Sequence, residues 1–253
     1  MTVTQQSQTA LVLGASGGLG QAIVAKFLTD PSIERVIAVS RNCQTEDLSA
    51  AWISNSRLIW IQVEGDYSED SMTKAVADLV PFTGTISRVC ICHGLLHADD
   101  IWPEKRCEDI SEASMHAVFQ ANTVVPALWL KLLLGVLVGQ QPCIVAALSA
   151  RVGSIADNRM GGWYAYRTSK AALNMMLKTF AIEYARRVKN VKLISFHPGT
   201  TDTDLSKPFQ ASVPKEQLFA TAFVADRLAG IMDEAEMDGQ LAFIDWDGKP
   251  VNW

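Results

Sequence analysis

Short apolar runs alternate along the chain with longer stretches in which apolar residues recur every three or four positions. Runs bounded by polar turns read as strands at 10–13, 35–39, 58–62, 87–92, 143–149, 191–196 and 241–244. Helical periodicity marks 18–29, 69–79, 112–138, 163–188 and 215–234. A strand that is apolar on both sides must be covered on both faces, and regular alternation with helices closes such strands into a parallel sheet through right-handed crossovers. The pattern therefore predicts a single doubly wound α/β domain over residues 1–253, of Rossmann type, with ligands beyond the carboxyl ends of its strands.

Composition narrows the function. A chain of 253 residues that is 49% hydrophobic and 19% charged can bury one large core. Its net charge of −5, without clustered Lys and Arg, argues against nucleic-acid binding. The N-terminal stretch 1–9 is polar, with neither a basic nor an apolar segment, and the most apolar stretch, 127–138, is interrupted by Lys131 and too short to span a bilayer. A cytoplasmic protein without membrane contact is expected. The five cysteines, Cys43, Cys90, Cys92, Cys107 and Cys143, are odd in number and unpaired in spacing, which fits reduced thiols. Cys90, Cys92, His93 and His97 invite a zinc reading, but strand alternation puts Cys90 and Cys92 on one face and His93 on the other, so no metal is expected.

Two local patterns carry chemistry. The run Leu11-Val12-Leu13-Gly14-Ala15-Ser16-Gly17-Gly18-Leu19-Gly20 reads as strand, tight turn and helix start. Glycines at 14, 18 and 20 let the backbone approach a pyrophosphate, and the loop from Ser16 through Gly17 and Leu19 brings first-turn amides to bind it. The spacing departs from the usual Gly-x-Gly-x-x-Gly. The second pattern is Tyr166 and Lys170, whose four-residue spacing puts a phenol and an ammonium on one helix face. A neighbouring cation favours the phenolate and is expected to bring the phenol toward a useful acid/base range. Tyr164 is a competing phenol, but its four-residue partner is Thr168, so the register selects Tyr166.

Together with Asn122 in Gln120-Ala121-Asn122-Thr123, Ser149 at the end of the run from Cys143, and His197-Pro198-Gly199 after the run from Val191, these patterns resemble the classical short-chain dehydrogenase/reductase family over nearly the whole chain. The segment Gly153-Ser154-Ile155-Ala156-Asp157-Asn158 and the ending Phe243-Ile244-Asp245-Trp246-Asp247-Gly248-Lys249-Pro250 are similar to the branch holding C-factor-like proteins and small carbonyl reductases. The resemblance implies seven strands in the order 3-2-1-4-5-6-7 and hydride transfer between a nicotinamide and a carbonyl or alcohol substrate. It implies Tyr166 as general acid/base, Ser149 as a hydrogen-bond donor to the developing alkoxide, and Lys170 as the group favouring the phenolate and holding the ribose. Pro198, Gly199, Thr201 and Thr203 match the segment that receives the carboxamide, and Gly94 lets the backbone pass close to the ribose.

Departures from the family pattern matter as much. The end of the second strand offers Ser40 and Arg41 where an NAD enzyme usually has an acidic residue, so NADP(H) is expected over NAD(H). Asp66 matches the aspartate that meets the adenine amino group and can equally cap the following helix. Ile91-Cys92-His93-Gly94 replaces the usual Asn-Asn-Ala-Gly. Pro126 has no NH to offer the carbonyl of Asn122, which supplies a covalent reason for the kink at which the family holds a water leading to the lysine. The family's Ser-Ser pair reads Ser149-Ala150 here; an ungapped match puts Ala150 at the catalytic hydroxyl, so Ser149 needs a local irregularity to reach the carbonyl, with Ser154 in reserve. Failing both, the alternative is a noncatalytic NADP-binding regulator or signalling protein. Trp102, Trp163, Phe209 and Phe219 are candidates for lining the pocket of an apolar aldehyde or ketone. The surplus apolar faces of 112–138 and 163–188 predict a homodimer or homotetramer.

Overall fold

The structure is a computed structural model that describes residues 7–41 and 55–253. Seven parallel strands form its central sheet: β1 (Gln8–Leu13), β2 (Ile33–Ser40), β3 (Leu58–Gln62), β4 (Ile86–Ile91), β5 (Cys143–Leu148), β6 (Val191–His197) and the last strand, β9 (Ala242–Asp245). Their order is β3-β2-β1-β4-β5-β6-β9, the expected double winding out from β1 and β4. A separate two-residue pair, β7 (Thr200–Thr201) and β8 (Leu218–Phe219), brackets a long loop beyond the sheet.

Period-two alternation explains why both faces are apolar. On β1, Leu11 and Leu13 join one core while Ala10 and Val12 join the other; Val145 and Ala147 on β5 are divided from Ile144 and Ala146 in the same way. The first core lies under α2 (Glu69–Ala77), α5 (Tyr164–Arg187) and α4 (Val125–Leu133), the second half of an interrupted helix whose first half is α3 (Glu112–Phe119). The second lies under α1 (Gly18–Thr29) and α6 (Thr221–Asp233). Trp129 and Tyr184 are wholly buried in the first core, and the Tyr184 hydroxyl donates to the Leu130 carbonyl.

Two helical expectations are refined. The stretch 112–138 is not continuous: between α3 and α4 lies one wide π turn, Gln120–Val124, in which Val125 N bonds the Gln120 carbonyl five residues back. Pro126 at the start of α4 accounts for it, since an imide cannot close the ordinary bond to residue 122. The stretch 215–234 is helical only from Thr221; Lys215–Gln217 forms a single tight turn and the next two residues pair as β8. Pro214 and the β7 partner draw these residues away from the helix. Among the described residues no helix is long and apolar enough to cross a membrane, and no three His, Cys, Asp or Glu side chains group as a metal site. Cys90, Cys92, Cys107 and Cys143 are free thiols, while Cys43 and Asn42 lie outside the described residues.

Candidate active site

At the carboxyl end of β1 the chain turns through Gly14, whose φ of 79° is left-handed and natural only to glycine. α1 begins against this turn so closely that a Cβ on Gly20 would lie 2.4 Å from the Gly14 carbonyl oxygen. Its N-cap, Gly17, supplies no side-chain acceptor and its first turn carries no acidic residue. First-turn amides without a cap are an anion site, so this cradle fits a dinucleotide pyrophosphate. A cleft of about 500 Å³ opens over it, lined by Ser16, Gly17, Gly18, Leu19 and Gly20 from this turn. Gly94, Tyr166, Lys170, Pro198 and Thr203 line its other side, so the structure brings most of the predicted dinucleotide residues together.

The remaining predicted residues, Gly14, Ser40, Arg41, Asp66, Gly199 and Thr201, do not line the cleft itself. Gly14 forms the turn beneath, and Gly199 and Thr201 face a neighbouring cavity. Ser40 is buried at the end of β2 and Arg41 is exposed just after it, with its guanidinium 5.4 Å from the centre of the Tyr67 ring. Tyr67 holds a left-handed φ of 61°, which turns its ring beneath Arg41 and edge-on to His93 at 4.6 Å. Asp66 is exposed and accepts from Ser68 N at 3.2 Å, closing the turn before α2, whereas the helix cap itself is Ser68. His93 replaces the usual polar bonding of this strand end: its Nε2 accepts from Trp129 Nε1 at 2.8 Å, leaving the hydrogen of the neutral ring on Nδ1. Burial, with Arg41 and Lys170 adding to it, pushes His93 down to about 3, so the ring is uncharged at neutral pH.

Tyr166 and Lys170 share a face of α5, as their spacing requires, with the ammonium 5.8 Å from the phenol ring centre. Lys170 Nζ donates to the Leu148 carbonyl at the end of β5, at 2.8 Å. The expected lowering of the phenol does not occur in the protein alone. Burial pushes Tyr166 up to about 12 and Lys170 down to about 8, because desolvation penalises both charged forms and at this separation outweighs their attraction. Asn122, fully buried at the π turn, spans the gap to the β4 loop: its amide oxygen accepts from Leu95 N at 2.7 Å and its nitrogen donates to Leu95 O and to Ser169 Oγ. That reciprocal pair supplies the anchoring which the strand end itself lacks.

Ser149 is placed differently from its expected role. No bulge intervenes before Ala150, whose extended backbone (φ −153°, ψ 145°) continues the alternation. The Ser149 hydroxyl is buried and donates to Asn174 Oδ1 at 2.7 Å, as does Ser195 from β6. Its hydrogen is thus committed to the interior, although the residue borders both cavities. Ser154, the reserve, lines neither cavity and accepts from Asp157 N within its own turn. Ala150 does border the second cavity beside Tyr166, where the family pattern has a hydroxyl. Asn174 could have been found in the sequence, since it follows Lys170 by one further helical turn.

The second cavity, of about 570 Å³, shares Tyr166 with the first and is largely apolar. Trp163 and Phe209 line it, their ring centres 5.1 Å apart. Trp102 backs this wall by stacking on His97 at 5.4 Å, while Phe219 serves elsewhere: it packs on Trp246 beneath Gly199, where a Cβ would lie 2.6 Å from its ring. Leu205, Ser206 and Met160 complete the cavity without any signal in the sequence pattern, because they come from loops brought together only in the fold.

The chain matches the short chain dehydrogenase family over residues 8–213. It is 31% identical over 151 residues to C-signal of Myxococcus xanthus, covering 57% of this chain and 82% of that one. It is 25% identical over 248 residues to a benzil reductase, (S)-benzoin forming, of Bacillus subtilis, covering 91% and 96%. Among solved structures, the carbonyl reductase Sniffer of D. melanogaster superposes with a TM-score of 0.83 at 23% identity, over 98% of this chain and 100% of that one. An NADPH-bound carbonyl reductase from chicken fatty liver gives 0.84 at 21%, over the same shares of 98% and 100%. At these identities the structural likeness establishes the fold.

Proposed function

The chain belongs to the short-chain dehydrogenase family, an oxidoreductase family using nicotinamide cofactors on small molecules, and from that premise we propose that it is an NADP(H)-dependent reductase of apolar, aryl-bearing carbonyl compounds. The observation that carries the proposal is Tyr166, a buried phenol lying between the cleft over the glycine turn and an apolar cavity walled by Trp163 and Phe209. When bound, the cofactor supplies the hydride for the carbonyl carbon. Tyr166 donates its proton to the carbonyl oxygen, so that C=O becomes CH–OH and the tyrosine is left as phenolate. A phenol pushed up to about 12 stays protonated at neutral pH yet is far more acidic than an alcohol, which suits the donor in reduction better than the base in oxidation. Lys170, pushed down to about 8, exchanges protons readily near neutrality and restores the phenol. Pro126 offers the Asn122 carbonyl no NH at the π turn, so that oxygen would hold the water that feeds Lys170.

Ser16 to Gly20 hold the pyrophosphate, and Lys170 with Gly94 takes the nicotinamide ribose. Arg41 and Ser40 take the 2′-phosphate, for which a guanidinium is the matching partner; Asp66 meets the adenine, and Pro198, Gly199, Thr201 and Thr203 receive the carboxamide. Ser149 would have to release Asn174 to reach a substrate, so Tyr166 is the principal donor. The aryl preference draws on the aromatic wall and on the similarity to the benzil reductase. The unpaired thiols fit a cytoplasmic setting. Exposed Met175, Met176 and Ile182 on α5 and Val124 at the π turn support pairing of these helices with a second copy, and light scattering at twice 27.6 kDa or more is the expected result.

A second reading, a dinucleotide-binding signalling protein without turnover, is favoured by Ala150 and by the similarity to C-signal. NADPH oxidation measured over a panel of aryl and aliphatic ketones and diketones separates the two. Turnover that is fastest with aryl substrates is expected; tight NADPH binding with no turnover across the panel would give the second reading instead.

A further inference from the structure

We propose that Glu104, on the loop after β4, is a positioning residue that holds Trp163 in place and thereby shapes the aromatic wall of the substrate cavity. The proposal rests on reading that cavity as a carbonyl site. α5 is entered through three successive left-handed residues, Gly161, Gly162 and Trp163, with φ of 64°, 65° and 53°. Glycine takes this conformation freely, whereas a tryptophan keeps it only where its surroundings over-determine it. Trp163 is the N-cap of the helix and its side chain makes no capping bond.

Glu104 supplies what is missing. The residue is 3% exposed; its carboxylate accepts from Ala165 N, in the first turn of α5, at 3.1 Å, while its backbone carbonyl accepts from Trp163 N at 2.5 Å. One residue thus fixes the cap and the first turn together, with a negative charge at the favourable end of a 24-residue helix. The loop lies so close that a Cβ on Gly162 would come within 3.3 Å of the Glu104 carbonyl oxygen. Arg167 holds the other side, donating through Nε to the Gly162 carbonyl at 3.0 Å. The second carboxylate oxygen, Oε1, is buried without a partner among the described residues, so this charge is poorly explained as a contribution to packing alone. What the arrangement achieves is the placement of the Trp163 ring, 5.1 Å from Phe209 and 6.2 Å from Tyr166, in the wall that a substrate meets.

The test compares kcat/KM for an aryl ketone and a small aliphatic ketone in the full-length protein with NADPH. Losing the cap in Glu104→Ala is expected to lower the aryl-to-aliphatic ratio by about 10-fold, mainly through KM for the aryl ketone. Glu104→Gln keeps a side-chain oxygen for Ala165 N and should stay within about 3-fold of the parent ratio. Trp163→Gly keeps the left-handed backbone, loses the wall, and should match Glu104→Ala; the double variant should fall no further, because both changes remove one device. Loss of folded enzyme scales both substrates alike and leaves the ratio untouched. An unchanged ratio in Glu104→Ala, or effects that multiply in the double variant, would overturn the proposal. Amide exchange over 161–167 needs no turnover: it should quicken by about 10-fold in Glu104→Ala while β4 and β5 stay protected, and unchanged exchange overturns the positioning role. If the parent protein reduces neither ketone, the carbonyl reading falls on its own account and the exchange result still decides the role of Glu104.

Discussion

The two cavities that meet at Tyr166 are of similar size, about 500 and 570 Å³, yet they are made of different material. The cleft proposed for the dinucleotide rests on backbone along one side, a glycine turn and the open amides of α1. The cavity proposed for the substrate is walled largely by side chains from the β4 loop, the start of α5 and the long loop between β7 and β8. Backbone sites demand glycine at set spacings and so leave a mark in the sequence. Side-chain cavities can be filled by many residues, so chemistry common to a family lies on one side of Tyr166 and individuality on the other.

Tyr166→Phe should break the pair at its shared wall. We expect reduction to fall by about 10³-fold or more while NADPH affinity stays within a few-fold, since one proton donor is lost and little else. Turnover near the parent level, measured at saturating NADPH, would remove Tyr166 from the chemistry. Arg41→Asp tests the cleft alone: the NADPH-to-NADH ratio of kcat/KM should fall by about 10²-fold, because a carboxylate repels the phosphate that a guanidinium binds. An unmoved ratio would reduce Arg41 to a partner of the Tyr67 ring.

Lys170→Met should uncouple stability from activity. The lysine is buried and pushed down to about 8 from the 10.5 of the unfolded chain, so between those values the unfolded state binds more protons than the folded one. Stability due to Lys170 is therefore present above 10.5 and lost as pH falls through about 8, and removing the charge should stabilise the protein by about 2 kcal/mol at pH 7 despite the lost bond to Leu148. Denaturant unfolding from pH 7 to 10 should show a rise in the parent that is flatter in the variant; parallel curves would contradict the buried-charge reading. Reduction should be severely impaired in the same variant. The smallest effect belongs to the substrate side. Ala150→Ser restores a hydroxyl beside Tyr166 and should raise kcat by about 10-fold, whereas Ser149→Ala, which removes only a bond to Asn174, should change it by about 3-fold or less. The reverse ranking would return the donor role to Ser149.

The alternation of strands and helices, the turn at Gly14 and the register of Tyr166 with Lys170 were readable from periodicity and spacing, because local backbone geometry dictates them, whereas the order of the seven strands came from the family resemblance. Pro126 likewise announced an irregularity, though not that it would take the form of a π turn. Protonation was not readable: spacing suggested that Lys170 would acidify Tyr166, and burial reversed the sign by acting on both groups. Nor was the orientation of Ser149, which follows from continued alternation past the strand end and from Asn174 waiting across the interior. Glu104 gave no local signal at all, since its partners lie some sixty positions away and its importance comes from a charge meeting a helix end. The sequence by itself determined the alternating scaffold and the glycine turn before α1, through short-range rules of spacing and chain geometry. Desolvation, side-chain partners and the substrate wall were decided by the tertiary structure, because each depends on which distant segments exclude water from the same place.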